Sequence, residues 1–118
     1  MKENIVKILA VFLLIFLISC GKNPGENFGV ISIDNGKELI KINAEIADDK
    51  QEQMEGLMFR EKLNENDGMI FVFENEQEQA FWMKNTLIPL DIIFIGENFK
   101  IADIKNAVPC KEEPCVLY

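Results

Sequence analysis

What this 118-residue sequence lacks is its most informative feature, since it contains no histidine. Apart from Ser19, its hydroxyl side chains are those of Ser32, Thr86 and Tyr118. Without histidine, a Ser-His-Asp or Cys-His hydrolase and a histidine-ligated zinc, copper or haem site are excluded. The sequence also has no glycine-rich phosphate loop and no calcium-type spacing of carboxylates. We therefore predict no cofactor and no metal site, and we name no catalytic residue.

Basic residues are also scarce, with 12 lysines and arginines against 20 aspartates and glutamates. The formal net charge of −8 gives the chain an acidic character that repels phosphate backbones. We therefore expect no nucleic-acid partner.

The N-terminus differs in composition from the rest of the chain. Lys2 and Lys7 precede an unbroken apolar run over residues 8–18, which fits the apolar core of a secretory signal and is too short to span a bilayer. The run ends in Leu-Ile-Ser-Cys-Gly at residues 17–21, which resembles the lipobox of bacterial lipoproteins. This resemblance implies a signal peptide at 1–19, lipidation of Cys20 and a flexible tether at 20–27. The alternative is a plain signal anchor in which Cys20 is incidental.

Export and lipidation would hold a single domain, residues 28–118, on the extracytoplasmic side of a membrane in the cell envelope. An oxidising compartment favours a disulfide between Cys110 and Cys115, across a turn-forming Lys-Glu-Glu-Pro segment. Closing this short loop would contribute about 2 kcal/mol to folding. A redox pair and half of a metal site are the alternatives for these two cysteines.

Alternating and apolar segments predict six strands in this domain. They are expected at residues 28–33, 37–46, 68–73, 80–85, 90–95 and 99–104. Asn35 and Gly36 suit a tight hairpin between the first two strands. The third strand is continuously apolar and is therefore expected at the centre of a sheet.

One helix is predicted after Asp48 or Asp49, either of which can cap it. Gly56 within this segment suggests that another element packs closely there. Three apolar residues are expected on one side of the helix: Met54, Leu57 and Met58. Since no βαβ rhythm is present, the elements together predict a mainly β sandwich or small barrel with one short helix.

Three motifs resemble a known family. They are Gly-Leu-Met-Phe-Arg at 56–60, Asp-Gly-Met-Ile-Phe-Val-Phe at 67–73 and Phe-Trp-Met-Lys-Asn-Thr-Leu-Ile-Pro-Leu-Asp at 81–91. Together with Pro109, Cys110, Cys115 and Tyr118, they are similar to the bacterial and archaeal family called domain of unknown function 192, over about residues 40–118. The resemblance implies a small jelly-roll-like β fold, frequent export or lipidation, and no established activity.

The chain departs from the family pattern in two places. Family members often carry an arginine where this chain has Gln53, so an anion-binding role there would be weakened. Relatives usually continue beyond the position of Tyr118 with further strands. The resemblance therefore predicts a domain that lacks its last strands, with unpaired strand edges and an exposed apolar face.

Polar and aromatic side chains in and near the third motif form the candidate binding site. They are Arg60, Trp82, Lys84, Asn85, Thr86 and Asp91. Such a mixture can bind a carboxylate, an amide or a sugar hydroxyl, and the tryptophan offers a face for stacking. Alternatively, these residues have structural roles only: Asn85 and Thr86 satisfy backbone groups in a turn, Asp91 pairs with Arg60 or Lys84, and the tryptophan is core.

Three hypotheses for function follow. The first is a non-catalytic envelope lipoprotein that binds an unknown small molecule or an envelope protein at these residues. The second is an enzyme acting on envelope material, with Asp91 or Lys84 as acid or base. The third is a purely structural scaffold. A copper(I) site at Met54, Met58, Met69 and Met83 is a further alternative, weighed against the ordinary role of methionine as a core filler.

Overall fold

The computed structural model describes residues 27–118. The predicted signal peptide, Cys20 and nearly all of the tether lie outside the described residues. Within residues 27–118 the elements are β1 (Phe28–Asp34), β2 (Leu39–Ala47), α1 (Lys50–Glu55), β3 (Asp67–Phe71), β4 (Leu90–Ile95) and β5 (Ile101–Ala107). They form a three-stranded sheet in the order β1-β2-β3 and a two-stranded sheet of β4 and β5. The predicted mainly β class with one short helix is confirmed.

The β1–β2 hairpin forms where the alternating pattern and the Asn-Gly pair predicted it. The strands pair antiparallel with Ile31 opposite Ile42, so their isoleucines share one half-buried face. Gly36 has a φ of 80° in the connection, which a residue without Cβ adopts at no steric cost. The side chain of Asn35 accepts two backbone N–H groups of the same turn, each at 2.9 Å.

Helix α1 begins at the predicted aspartate cap. The side chain of Asp49 accepts the N–H of Glu52 at 2.8 Å, and the Glu52 carboxylate accepts the N–H of Asp48 at 3.2 Å. The helix stops at Gly56, whose φ is 51°. A Cβ at this position would lie 3.2 Å from the ring of Phe71, so the close approach expected at the glycine is present.

The prediction that Met54, Leu57 and Met58 form one apolar side of the helix is wrong. Leu57 and Met58 lie in the turn that follows the helix, and Met54 is 76% exposed. The positive φ of Gly56 ends the helical hydrogen-bonding pattern before a second turn is complete.

Strand β3 runs parallel to β2, with Ile70 opposite Ile46. Among the described strands of this sheet the central one is β2, so the predicted central position of β3 is wrong. Every residue of β3 is nevertheless half-buried, which accounts for its lack of polar alternation.

The strand predicted over residues 80–85 does not form. Trp82 makes one isolated bridge with Leu117, and the backbones of Phe81 and Tyr118 exchange two hydrogen bonds at 3.0 and 2.9 Å. Asn85 then takes a φ of 56°, which turns the chain before a longer ladder can form.

Strands β4 and β5 pair antiparallel with Ile93 opposite Ile104, and the register shifts at a bulge between Phe94 and Ile95. Residues 101–106 of β5 are all exposed. The isoleucines exposed on this sheet are Ile93 at 38%, Ile95 at 46%, Ile101 at 44% and Ile104 at 52%.

The two sheets meet at a small aromatic core. The ring centre of Phe81 lies 5.1 Å from that of Phe71 on β3 and 5.9 Å from that of Phe94 on β4. In the described part of the chain, the buried hydrophobic residues are Ala44, Ala47, Met83 and Ala107. No helix among residues 27–118 has the length and apolar character needed to cross a bilayer.

Candidate functional site

Lys84 lies at the centre of the candidate site. Its Nζ is 2.6 Å from Oε1 of Glu113 and 5.4 Å from the centre of the Trp82 ring. The ring is 51% exposed, and its negative face attracts the ammonium group. The hydrogen bond from Lys84, with its positive charge, lowers the pKa of the Glu113 carboxyl below its ordinary value.

Asn85 extends the site from a turn that is fixed by backbone contacts. Its left-handed conformation is one that asparagine adopts more readily than other side chains. Its carbonyl accepts the N–H of Phe59 at 2.8 Å. The side-chain Nδ2 contacts Sδ of Met58 at 3.8 Å, which is a weak hydrogen bond because thioether sulfur is a poor acceptor. The exposed amide therefore retains hydrogen-bonding capacity for another molecule.

These two residues line a shallow groove of about 110 Å³. The other residues that line it come from one loop: Cys110, Lys111, Glu112, Glu113 and Cys115. The predicted disulfide closes this loop, with 5.4 Å between the Cα atoms of Cys110 and Cys115. We refer to this depression as the Lys84 groove.

Thr86 lies behind the groove rather than in it. Only 7% of the residue is exposed. Its N–H donates to the carbonyl of Met83 at 3.2 Å, and its Oγ1 donates to the carbonyl of Lys84 at 3.4 Å. The hydroxyl therefore satisfies a backbone group of the turn that presents Lys84.

Arg60 and Asp91 have partners of their own and do not line the Lys84 groove. Arg60 donates from both terminal nitrogens to Glu45 on β2, at 2.8 and 2.7 Å, and this hydrogen bond raises the pKa of Arg60. Asp91 accepts a hydrogen bond from the side chain of Asn106 on β5. The fold therefore brings Trp82 and Lys84 together with the adjacent Asn85, and it directs Arg60 and Asp91 to other contacts.

Sequence reasoning missed three charged residues of the groove, Lys111, Glu112 and Glu113. All three lie between the cysteines, and a disulfide holds a loop of this length in a compact shape. That spacing was a usable signal for an ordered loop. The turn against which the loop packs depends on tertiary contacts, and the spacing of the cysteines does not predict those contacts.

The described part of the chain has no set of side chains arranged to bind a metal ion. Among residues 27–118, no group of three or more cysteine, aspartate or glutamate side chains is arranged to hold a metal ion. Of the methionines considered for copper(I), Met83 is buried in the core and Met54 is exposed on the helix.

Residues 31–118 match the sequence model of the family designated domain of unknown function 192 (DUF192) and described as "Uncharacterized ACR". The chain belongs to the DUF192 family. The match confirms the resemblance carried by the three motifs and extends it into β1. The DUF192 chain has no significant match among curated proteins.

Two solved structures are similar to this DUF192 chain. One is a protein of unknown function from Novosphingobium aromaticivorans, with 36% identity and a TM-score of 0.70 over 77% of this chain and 65% of that one. The other is a protein from Sinorhizobium meliloti named a "putative transcription regulator", with 32% identity and a TM-score of 0.71 over 82% of this chain and 75% of that one. The DUF192 chain thus spans less than two thirds of the length of the Novosphingobium protein.

Proposed function

We propose that the chain is an exported, lipid-anchored protein whose β domain binds, without catalysis, a carboxylate group of an envelope molecule in the Lys84 groove. The observation that carries the proposal is the 2.6 Å contact between Lys84 and Glu113 at the groove. An ammonium group that already holds one carboxylate there has the charge and the position to hold that of a ligand.

Glu113 is easily displaced from Lys84. The side chains are 40% and 66% exposed, and an ion pair this accessible to water contributes little to stability. A ligand carboxylate that replaces Glu113 keeps Lys84 paired and gains the Asn85 amide as a donor. Lys111 in the same groove adds a second positive charge, which Glu112 offsets while the ligand takes the place of Glu113.

The size of the groove indicates what part of a ligand it recognises. Its volume of about 110 Å³ is small for a binding site. Sites for whole small molecules are typically about 300–1,000 Å³. The groove therefore suits an end group, such as the terminal carboxylate of a larger envelope molecule, better than a whole metabolite.

The contacts of Asp91 support binding rather than catalysis. The enzyme hypothesis requires Asp91 or Lys84 as an acid or base with a substrate beside it. Asp91 is engaged with Asn106 and Lys84 with Glu113, so the two do not share a partner. No contact in the described residues joins either group to a nucleophile.

Titration with a matched pair of probes tests the binding function. N-acetylalanine carries a carboxylate, and N-acetylalanine amide has the same shape without the charge. We expect only the acid to shift the NMR signals of Lys84 and Asn85 in the full-length protein. Lys84→Met should abolish this response, whereas Glu113→Gln should strengthen binding several-fold because it removes the internal competitor.

Lys100→Met, which removes a lysine from the β4–β5 turn, is the control and should bind like the wild type. An equal response to the acid and the amide would refute carboxylate recognition. So would unchanged binding in Lys84→Met, since Lys84 is the group proposed to hold the carboxylate.

The lipid anchor has a separate test. Metabolic labelling with a fatty-acid analogue should tag the wild-type protein, and Cys20→Ser should lose the label. A labelled Cys20→Ser protein, or an unlabelled wild type in the cytoplasmic fraction, would overturn the envelope location.

A further inference from the structure

Strand β5 has a free edge within the described part of the chain. In residues 27–118 its neighbour in the sheet is β4 alone. Ile104, at the middle of the strand, is 52% exposed. An exposed edge of this kind presents backbone donors and acceptors that pair readily with another strand.

The backbone of Ile104 faces this free edge. Its N–H donates to the side chain of Asp103 at 2.8 Å, an acceptor outside the ladder with β4. In an antiparallel pair, alternate residues direct their N–H and C=O groups away from the partner strand. Ile104 is therefore positioned to exchange N–H···O=C bonds with a strand on the open side.

The sequence of β5 is complementary to itself in one antiparallel register. With Ile104 of one strand opposite Ile104 of an identical strand, Asp103 lies opposite Lys105 on both sides of the centre. Within one copy these two side chains already pair, with 2.8 Å between Lys105 Nζ and Asp103 Oδ2. Opposite charges placed directly across antiparallel strands stabilise the pairing, and like charges oppose it.

The other outer strands lack this complementarity. Centred on Ile31, β1 would place Val30 opposite Ser32 and Phe28 opposite Asp34. Centred on Met69, β3 would place Asp67 opposite Phe71. The outer edge of β4 has Asp91 as its single charged residue and so offers no basic partner. Among the described edges, only that of β5 pairs opposite charges in a two-fold arrangement.

We propose that the edge of β5 is a self-association surface, at which two copies of this chain pair their β5 strands antiparallel about Ile104 and join their two-stranded sheets into one of four strands. The interface is narrow, because a single strand contributes it, and it belongs to the weak class of protein contacts. Dimerisation therefore depends on concentration. It does not depend on the Lys84 groove, since β5 supplies none of the residues that line it.

Sedimentation velocity over a range of protein concentrations measures this association. We expect the full-length protein in detergent to shift from monomer to dimer as its concentration rises. Asp103→Lys places lysine opposite lysine, and Lys105→Asp places aspartate opposite aspartate. Each variant alone should raise the dissociation constant of the dimer at least tenfold.

Mixing the two variants separates contacts between chains from contacts within one chain. The pair of Asp103 with Lys105 inside a strand is broken in both variants. In a mixed dimer, however, the lysine introduced by Asp103→Lys would face the aspartate introduced by Lys105→Asp. The native Lys105 of the first variant would likewise face the native Asp103 of the second. We therefore expect the mixture to dimerise nearly as well as the wild type.

Glu61→Lys is the control for Asp103→Lys. It makes the same change of charge in an exposed loop and should leave the dimer intact. Thermal unfolding followed by circular dichroism establishes that each variant is folded before it is compared. A wild type that stays monomeric at all concentrations would overturn the proposal, as would a mixture that associates no better than its two components.

Discussion

The ring of Phe81 lies edge-on against that of Phe94, with 5.9 Å between the ring centres and 65° between the planes. Phe81 also meets Phe71 at 5.1 Å and 80°. Phe71 belongs to the three-stranded sheet and Phe94 to the two-stranded sheet. One side chain on the connection between β3 and β4 therefore couples the two halves of the described domain.

Phe81→Ala should destabilise the whole domain. Truncating a buried phenylalanine costs about 3–5 kcal/mol, and the partial exposure of Phe81 reduces the expected loss to about 2–3 kcal/mol. Urea unfolding followed by tryptophan fluorescence measures the change. Phe99→Ala is the control, because Phe99 is 92% exposed and its truncation should leave the free energy of unfolding nearly unchanged. Equal stability of the two variants would show that the aromatic contact does not couple the sheets.

Phe99→Gly should stabilise the protein. Phe99 has a φ of 58° in the β4–β5 turn, a left-handed conformation that costs a residue with a Cβ about 1–2 kcal/mol. Glycine removes this strain but loses about 0.5–1 kcal/mol in backbone entropy, so we expect a net gain of about 0.5–1 kcal/mol. Thermal unfolding checks it. Gly36→Ala, at a φ of 80° in the other hairpin, should change stability in the opposite direction.

Gln53→Ala should weaken the junction between β2 and β3. The Nε2 of Gln53 donates to the carbonyl of Val72 at 2.8 Å and to that of Ala47 at 3.4 Å. Losing these bonds should cost about 1–2 kcal/mol. Hydrogen exchange should increase at the end of β3 and leave β4 unaffected. Gln51→Ala is the matched control, because Gln51 is exposed on the same helix. Uniform acceleration in both sheets would contradict a local role.

The carboxyl group of Glu113 should titrate below its ordinary pKa of 4.5, because Lys84 stabilises the charged form. Because this pKa is lower in the folded protein than in the unfolded chain, the ion pair stabilises the fold at pH values above the unfolded pKa. The contribution is lost as the pH falls through the folded pKa. NMR titration of the side-chain carboxyl measures the midpoint, which should return towards 4.5 in Lys84→Met. Lys111→Met should leave it low. A midpoint that does not respond to Lys84→Met would remove the pairing on which the binding proposal rests.

Local patterns in the sequence predicted those elements whose own residues determine them. The β1–β2 hairpin follows from alternation around Asn35 and Gly36, and the start of α1 from the cap at Asp49. The disulfide follows from two cysteines at a short spacing. The wrong predictions for strands arise where a distant partner decides the outcome. The apolar segment over 80–85 resembles a strand, yet its neighbour within the described residues is the short segment at Leu117, and one bridge forms.

The candidate site divides in the same way. The third motif placed Trp82, Lys84 and Asn85 side by side in the sequence, and these three stay together in the structure. Arg60 and Asp91 were grouped with them by chemical type. In the structure Arg60 pairs with Glu45 on β2, and Asp91 pairs with Asn106, its neighbour across the β4–β5 ladder. Charged and hydrogen-bonding side chains pair with the complementary groups that the backbone places near them. Composition alone does not specify which groups these are.

By itself, the sequence determined the mainly β class, the family, the hairpin and the disulfide, because alternation, turn residues and motif order act over short distances along the chain. The tertiary structure alone decided that Glu113 reaches Lys84, that β2 is the central strand and that Phe81 joins the two sheets. Each of these depends on how segments tens of residues apart pack together, and packing is governed by shape and backbone pairing that no local pattern encodes.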